Sequence, residues 1–286
     1  MVTIQTIAEM RALRRTLGPQ TVGLVPTMGA LHAGHLSLVR AARAECGLVV
    51  ATIFVNPTQF GPGEDYARYP RTWEADVAML AAEGVDVLFA PAAAAMYPPG
   101  DATWVEVTEV GARLDGASRP GHFRGVATVV TKLLNIVQPD RAYFGQKDAA
   151  QVAVLRRMVR DLHVDVEMVV CATVREDDGL AMSSRNRYLS VAERLSACAI
   201  PRALDCAESC VARGVTEAKL LRGCVLASLQ AERGLRVEYV ELVDAERLEP
   251  VDDVRGGALL AVAAWAGETR LIDNLVLLQA NGPVTP

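Results

Sequence analysis

His32 and His35, two of the chain's four histidines, stand three residues apart in Pro26-Thr27-Met28-Gly29-Ala30-Leu31-His32-Ala33-Gly34-His35. The apolar run Thr21-Val22-Gly23-Leu24-Val25 before them reads as a short buried strand. Leu36, Leu38, Val39, Ala41 and Ala42 after them begin a helix that Gly34 introduces. Imidazoles at i, i+3 around a helix N-terminus can face one ligand. The unsatisfied N–H groups and the positive end of the helix dipole favour an anion there. The chemistry this junction suits is the holding of nucleotide phosphates. Alone, the spacing also fits two surface histidines on a tight turn, so the rest of the chain must decide.

Three further segments carry polar groups of useful type. Asn56-Pro57-Thr58-Gln59-Phe60-Gly61 follows the apolar run Leu48 to Val55. Pro57 ends that strand and leaves the amides of Asn56 and Gln59 at its carboxyl end, able to donate and to accept; taken alone, the segment is better read as ordinary turn chemistry. Gly145-Gln146-Lys147-Asp148 comes straight after Ala142-Tyr143-Phe144 and before a helix. Lys147 offers a cation to the phosphates, Asp148 a helix cap, and Gln151 a side chain on the first helical turn. Met182-Ser183-Ser184-Arg185-Asn186 reads as a mobile polar loop whose Arg185 presents a planar set of donors suited to phosphate oxygens. His122, in the Gly/Pro-rich lead Ser118 to Gly125, is read either as an anion ligand or as a cap, and His163 as a structural turn residue.

These segments need strands and helices to hold them. Runs at Val22 to Val25, Leu48 to Val55, Val85 to Ala90, Arg141 to Phe144 and Val164 to Val170 read as strands. Between them Gly34 to Glu45, Thr72 to Glu83, Gly125 to Val137 and Asp148 to Leu162 read as helices. Such alternation predicts an α/β fold, a Rossmann-like doubly wound parallel sheet, with ligands beyond the carboxyl ends of the strands. After Val174 the pattern changes to helices at Val191 to Arg213 and Thr216 to Arg233. Strands follow at Arg236 to Val243, Ala258 to Trp265 and Thr269 to Leu278. Two domains are therefore expected: residues 1–173, Rossmann-like and ligand-binding, and residues 174–286, a smaller α+β C-terminal lid domain.

Composition narrows the partners. A length of 286 residues with 51% hydrophobic residues supports a full core, and a net charge of −5 argues against nucleic acid. The segment Met1 to Arg15 carries Glu9, Arg11, Arg14 and Arg15, unlike a secretory signal, and Ala258 to Ala266 is too short to span a bilayer. No membrane partner and a cytoplasmic location are expected. The six cysteines contain no C-x-x-C pair. Cys206 and Cys210 share a helix face, but with no nearby histidine no protein metal site is expected.

Taken jointly, the segments resemble the pantothenate synthetase (pantoate–β-alanine ligase) family of the nucleotidylyltransferase superfamily. The resemblance rests on Pro26-Thr27-Met28-Gly29 leading into His32-Ala33-Gly34-His35, on Phe54-Val55-Asn56-Pro57 with Gln59-Phe60, and on Tyr69-Pro70-Arg71-Thr72. It continues through Ser118 to Gly125, Gln138-Pro139-Asp140, Lys147-Asp148, Asp178-Gly179-Leu180, Ser183-Ser184-Arg185-Asn186, Ala263-Ala264-Trp265 and Arg270-Leu271-Ile272-Asp273-Asn274. It implies ATP-dependent condensation of (R)-pantoate with β-alanine through a pantoyl-adenylate, with Mg²⁺, in a homodimer. By the same resemblance Met28, Gly29, Ala30, Leu31, His32, Ala33, Gly34 and His35 hold the nucleotide, and His35, His32, Lys147 and Arg185 are catalytic. Gly145, Gln146, Lys147, Asp148 and Val174 contact ATP, and Met182, Ser183, Ser184 and Arg185 close over its triphosphate. Gln59, Gln151 and Asn56 are the substrate-binding candidates. The chain departs from the family pattern at Gln146, where Glu is usual, at Ala149 and Ala150, where an aromatic residue and Gln are common, and at Thr58, where Met is common. A nucleotidylyltransferase leaving its nucleotide on the product, a class I aminoacyl-tRNA synthetase and a non-catalytic nucleotide sensor are the rival readings.

Overall fold

The computed structural model describes residues 1–277, so Leu278, the last residue of the predicted strand Thr269 to Leu278, lies outside the described residues. Tertiary contacts divide the chain into two compact units. One comprises Met1–Gln146 with Ala150–Thr173; the other takes Lys147–Ala149 and the chain from Val174 onward. Lys147–Ala149 thus goes with the second unit, which a single boundary between 173 and 174 does not anticipate.

The first unit runs β1 (Val2–Ile4), α1 (Ile7–Thr16), β2 (Val22–Val25), α2 (Ala33–Glu45), β3 (Leu48–Thr52), α3 (Trp73–Ala82), β4 (Val87–Phe89), α4 (Ala93–Met96), α5 (Asp115–Ser118), α6 (His122–Val137), β5 (Arg141–Gly145), α7 (Ala149–Asp161) and β6 (Glu167–Cys171). The strands form one parallel sheet in the order β1-β4-β3-β2-β5-β6. Every residue of β2, β3 and β4 is buried. A strand covered on both faces reads as an unbroken apolar run rather than an alternating one, and these sequences do. Leu38 and Val39 of α2 and Leu80 of α3 pack on Val25, Val49, Ala51 and Leu88 of the sheet.

From β2 the chain steps through β3 to β4, and it later returns to lay β5 against the other side of β2. The carboxyl ends of β2 and β5 therefore flank the point where strand order reverses, the place where open α/β sheets receive ligands. Residues 26–35 leave from the first of these ends. Besides the one-turn helices α4 and α5, two elements of the first unit have no counterpart in the sequence reading. They are β1, with two of its three residues exposed, and α1, started by a capping box between Thr6 and Glu9.

In the second unit the helical pattern Val191 to Arg213 is two helices, α8 (Val191–Ala197) and α9 (Ala199–Ala212), joined at Cys198. Pro201 sits in the first turn of α9, where its missing N–H costs no helical bond. α10 (Ala218–Gln230) follows, then β7 (Leu235–Val243), β8 (Ala258–Ala266) and β9 (Thr269–Leu277), an antiparallel sheet in that order. The core of this unit joins Ile200, Leu204, Leu221 and Val225 of the helices to Val240, Leu260 and Val262 of the sheet. No helix among the described residues is long and apolar enough to cross a membrane.

Candidate functional site

The loop between β2 and α2 is shaped by bonds within the protein. Thr27 donates its hydroxyl to the Thr52 carbonyl on β3, and its own oxygen accepts from the N–H of Gly29 at 3.2 Å. Gly29 and Ala30 then both take left-handed backbone, at φ 80° and 51°. That conformation costs little for glycine and more for alanine, so something must hold it. Asp76 does: its two oxygens accept the N–H groups of Ala30 and Leu31, each at 2.9 Å, and the Thr72 hydroxyl at 3.1 Å. Asp76 is 1% exposed, so it is neither a solvated surface charge nor a carboxylate free to bind a metal.

Leu31 is buried in the core, and that anchors the next residue. His32 takes the N-cap position of α2 without using its ring as a cap. Its carbonyl accepts the N–H groups of His35 and Leu36, at 2.8 and 3.1 Å. By helix geometry the N–H groups of Ala33 and Gly34 have no partner one turn back. The rings of His32 and His35 lie 4.1 Å apart, tilted by 37°, both half-buried. The structure thus brings two imidazoles and a helix N-terminus together, a combination of donors whose field suits an anion.

The 3-10 turn Pro57–Gln59 beyond β3 lies against the start of α6. Asn56 is 1% exposed and its amide is committed within the protein. Its Nδ2 donates to Gln59 Oε1 at 3.0 Å and to the Gly125 carbonyl at 3.1 Å. Its Oδ1 accepts from the hydroxyls of Thr58 and Tyr97, both at 2.9 Å. In this arrangement Asn56 holds the amide of Gln59 in place. Gln59 is half-buried, with Nε2 3.2 Å from the Met28 sulfur, so residues of two different loops share one wall.

His122 does not cap α6, whose N-cap is Gly121. Arg119 forks onto Glu64, with both bonds at 2.7 Å, and its remaining arm lies 3.0 Å from His122 Nε2. A guanidinium can only donate, so Nε2 accepts and Nδ1 carries the proton. That proton goes to the Gln59 carbonyl at 2.8 Å. Burial and the Arg119 cation push the His122 pKa down to about 4, and the ring is neutral. Burial raises the Glu64 pKa, but its bonds to Arg119 outweigh that and hold the carboxyl below its ordinary value.

In the second unit, Lys147 holds its ammonium 3.2 Å from the Asp148 carboxylate. The Lys147 carbonyl accepts from Asn274 Nδ2 at 2.9 Å. The neighbouring Asp273, 3% exposed, pairs with Arg175 at 2.6 Å. The motif Arg270 to Asn274 therefore ties β9 to two segments expected to bind ATP, around Lys147 and Val174. Residues 182–186 are held by several hydrogen bonds. Met182 N–H bonds to the Val174 carbonyl at 2.9 Å, Ser183 Oγ caps the 3-10 helix Ser184–Tyr188, and buried Asn186 donates to the Ala181 carbonyl at 3.0 Å. Arg185 and Ser183 are half-buried and Ser184 is buried. In the first unit Gly145 ends β5, Gln146 is half-buried, Ala150 is buried and Gln151 is half-buried on the first turn of α7; Ala149, which belongs to the second unit, is buried too.

Fold and loop together define a Rossmann-like α/β protein with a paired-histidine helix N-terminus at its topological switch point. A family model described as pantoate-beta-alanine ligase matches residues 2–276. The chain belongs to the pantoate-beta-alanine ligase family and is an enzyme of that class. The pantothenate synthetase of Acidobacterium capsulatum is 59% identical, with 96% of each chain covered. That of Thermotoga neapolitana is 54% identical over 97% of this chain and all of its own. Among solved structures, the Thermus thermophilus pantothenate synthetase superposes with a TM-score of 0.92 at 51% identity, covering 96% of this chain and 99% of its own. The Francisella tularensis pantoate-beta-alanine ligase, solved complexed with beta-gamma ATP and beta-alanine, gives 0.80 at 34% identity, covering 96% and 97%.

Proposed function

We propose that the enzyme uses ATP to condense (R)-pantoate with β-alanine through a pantoyl-adenylate. The observation that carries this reading is the His32–His35 pair at the N-terminus of α2, on a loop shaped by Asp76. In the first step a pantoate carboxylate oxygen attacks the α-phosphorus of ATP, the bond from that phosphorus to the bridging oxygen breaks, and pyrophosphate leaves. The nucleophile is already ionised, so the obstacle is repulsion. Two like unit charges about 4 Å apart repel by roughly 4 kcal/mol at an effective dielectric of 20. His32, His35, Lys147, Arg185 and the first N–H groups of α2 are the types that offset it, by position and field rather than by a covalent bond.

On this reading residues 28–35, Gly145, Gln146, Asp148, Val174 and Met182 to Arg185 hold ATP, while Gln59 and Gln151 hold pantoate. Bound Mg²⁺ would supply positive charge against the triphosphate. Asp76 is no ligand for it, since both its oxygens are spent on backbone N–H groups. In the second step the β-alanine nitrogen attacks the acyl carbon, the acyl–phosphate C–O bond breaks, AMP leaves and the nitrogen loses a proton. An amine of pKa about 10.4 must first be neutral, which costs roughly 4–5 kcal/mol at pH 7.

Pantoate-dependent exchange of labelled pyrophosphate into ATP, with Mg²⁺ and without β-alanine, tests the intermediate. Exchange is expected; none, from protein that still binds ATP, rules the adenylate out. His35→Ala is expected to slow adenylation strongly and amide formation from supplied adenylate much less. Equal slowing of both half-reactions would contradict a phosphate role for His35. Arg185→Lys is expected to lower kcat/KM for ATP, because a point charge does not reproduce the fork.

A further inference from the structure

Three thiols that the reaction does not use meet on the helical layer of the second unit. Cys206 and Cys210 are one turn apart on α9, and Cys224 faces them from the middle of α10. The Sγ atoms of Cys206 and Cys224 are 3.7 Å apart, and the three sulfurs all lie within 4.8 Å of one another. Beneath them Ala203, Leu204, Ala207, Leu221 and Val225 pack the two helices into the core, which fixes the backbone that carries the thiols. Cys206 is exposed; Cys210 and Cys224 are partly buried.

We infer that Cys206, Cys210 and Cys224 form a binding site for a thiophilic tetrahedral cation of the Zn²⁺ type, with its fourth position open to water. Two sulfurs each about 2.3 Å from a tetrahedral Zn²⁺ are about 3.8 Å apart, so the Cys206–Cys224 spacing already fits, and a small closure of Cys210 completes the set. Binding converts three thiols to thiolates and releases three protons. Three thiolates and one divalent ion leave one net negative charge, and Arg213, donating to Cys210 Sγ at 3.3 Å, stands beside it. Sequence spacing alone showed two of these ligands; the third is 18 residues from Cys206 and on another helix.

Titration of the full chain with Co²⁺, reduced and oxygen-free, tests the site. Thiolate-to-metal charge-transfer absorption and tetrahedral d–d bands should saturate at one equivalent and be bleached by Zn²⁺. Cys206→Ser and Cys224→Ser should each weaken binding by more than the 10–100-fold that loss of an outer-sphere partner costs, with Cys171→Ser unchanged. In the wild-type chain Zn²⁺ should also shield Cys206 and Cys224 from alkylation, a readout independent of how the variants fold. The absence of charge-transfer absorption overturns the proposal, as does a signal that survives loss of both Cys206 and Cys224. So does finding a Cys206–Cys224 disulfide in place of metal binding, which would make the cluster a redox pair.

Discussion

Gly125→Ala probes whether the contact between α6 and the Pro57–Gln59 turn sets the position of Gln59. A Cβ at residue 125 would stand 2.7 Å from Gln59 Cα and 2.6 Å from the Thr58 carbonyl carbon, and closer still to its oxygen, where ordinary contact begins at 3.4 Å. The obstruction is backbone on both sides, so no rotamer relieves it. Gln59 must retreat by about 0.7 Å, the difference between 2.7 and 3.4 Å, and the Asn56–Gly125 bond of 3.1 Å must stretch with it. Overpacking of this kind costs about 1–3 kcal/mol in stability. For a substrate-positioning residue, a displacement approaching 1 Å costs up to about 100-fold in rate. Steady-state kinetics on protein with a cooperative melt should show kcat/KM for pantoate down by about 10- to 100-fold, with kcat/KM for ATP less affected. Gly223→Ala is the control, since a Cβ there meets nothing within 4 Å; it should stabilise by about 0.4–1 kcal/mol and leave activity alone. A Gly125→Ala enzyme with unchanged kcat/KM for pantoate would refute the reasoning.

Asp76→Asn replaces one of two acceptors by a donor facing a backbone N–H. It should cost about 1–3 kcal/mol in stability and lower kcat/KM for ATP, measured by thermal melts and initial rates. His122, with a pKa of about 4 in the folded chain against about 6.5 unfolded, lets the unfolded state bind more protons between those values. Stability is therefore full above pH 6.5 and is lost as pH falls toward 4. His122→Gln should reduce the pH slope of stability in that window by up to about one proton, as read from urea midpoints. Asn274→Ala removes the donor to the Lys147 carbonyl. It should leave the melting temperature within a few degrees and reduce kcat/KM for ATP several-fold, about the worth of one hydrogen bond.

What the sequence displayed was local. β2 and β3 were legible because strands buried on both faces are apolar without interruption, and the His32–His35 junction because its parts are contiguous. β1 was not, since three residues with one buried position carry no period. The break at Cys198 was signalled by Pro201 and passed over, because a proline in a first helical turn leaves the apolar period intact. The residues that aim the candidate site act at a distance. Asp76 is 46 residues from Ala30, His122 is 63 from Gln59, and Asn274 is 127 from Lys147. Asp76 did leave one trace: it shares a helix face with Leu80, one turn on, and both are buried, so the apolar pattern of α3 carries a carboxylate into the core.

The Asp76 clamp also joins the fates of two segments in unfolding. The amides of Ala30 and Leu31 are sealed by a carboxylate on the first turn of α3, so they cannot exchange with solvent until that turn lets go. Loop amides ordinarily exchange through local fraying, at little cost in free energy. These two should instead exchange in step with α3, at a rate close to that of the sheet interior. The loop that carries His32 and His35, by this account, is one of the last parts of the unit to open.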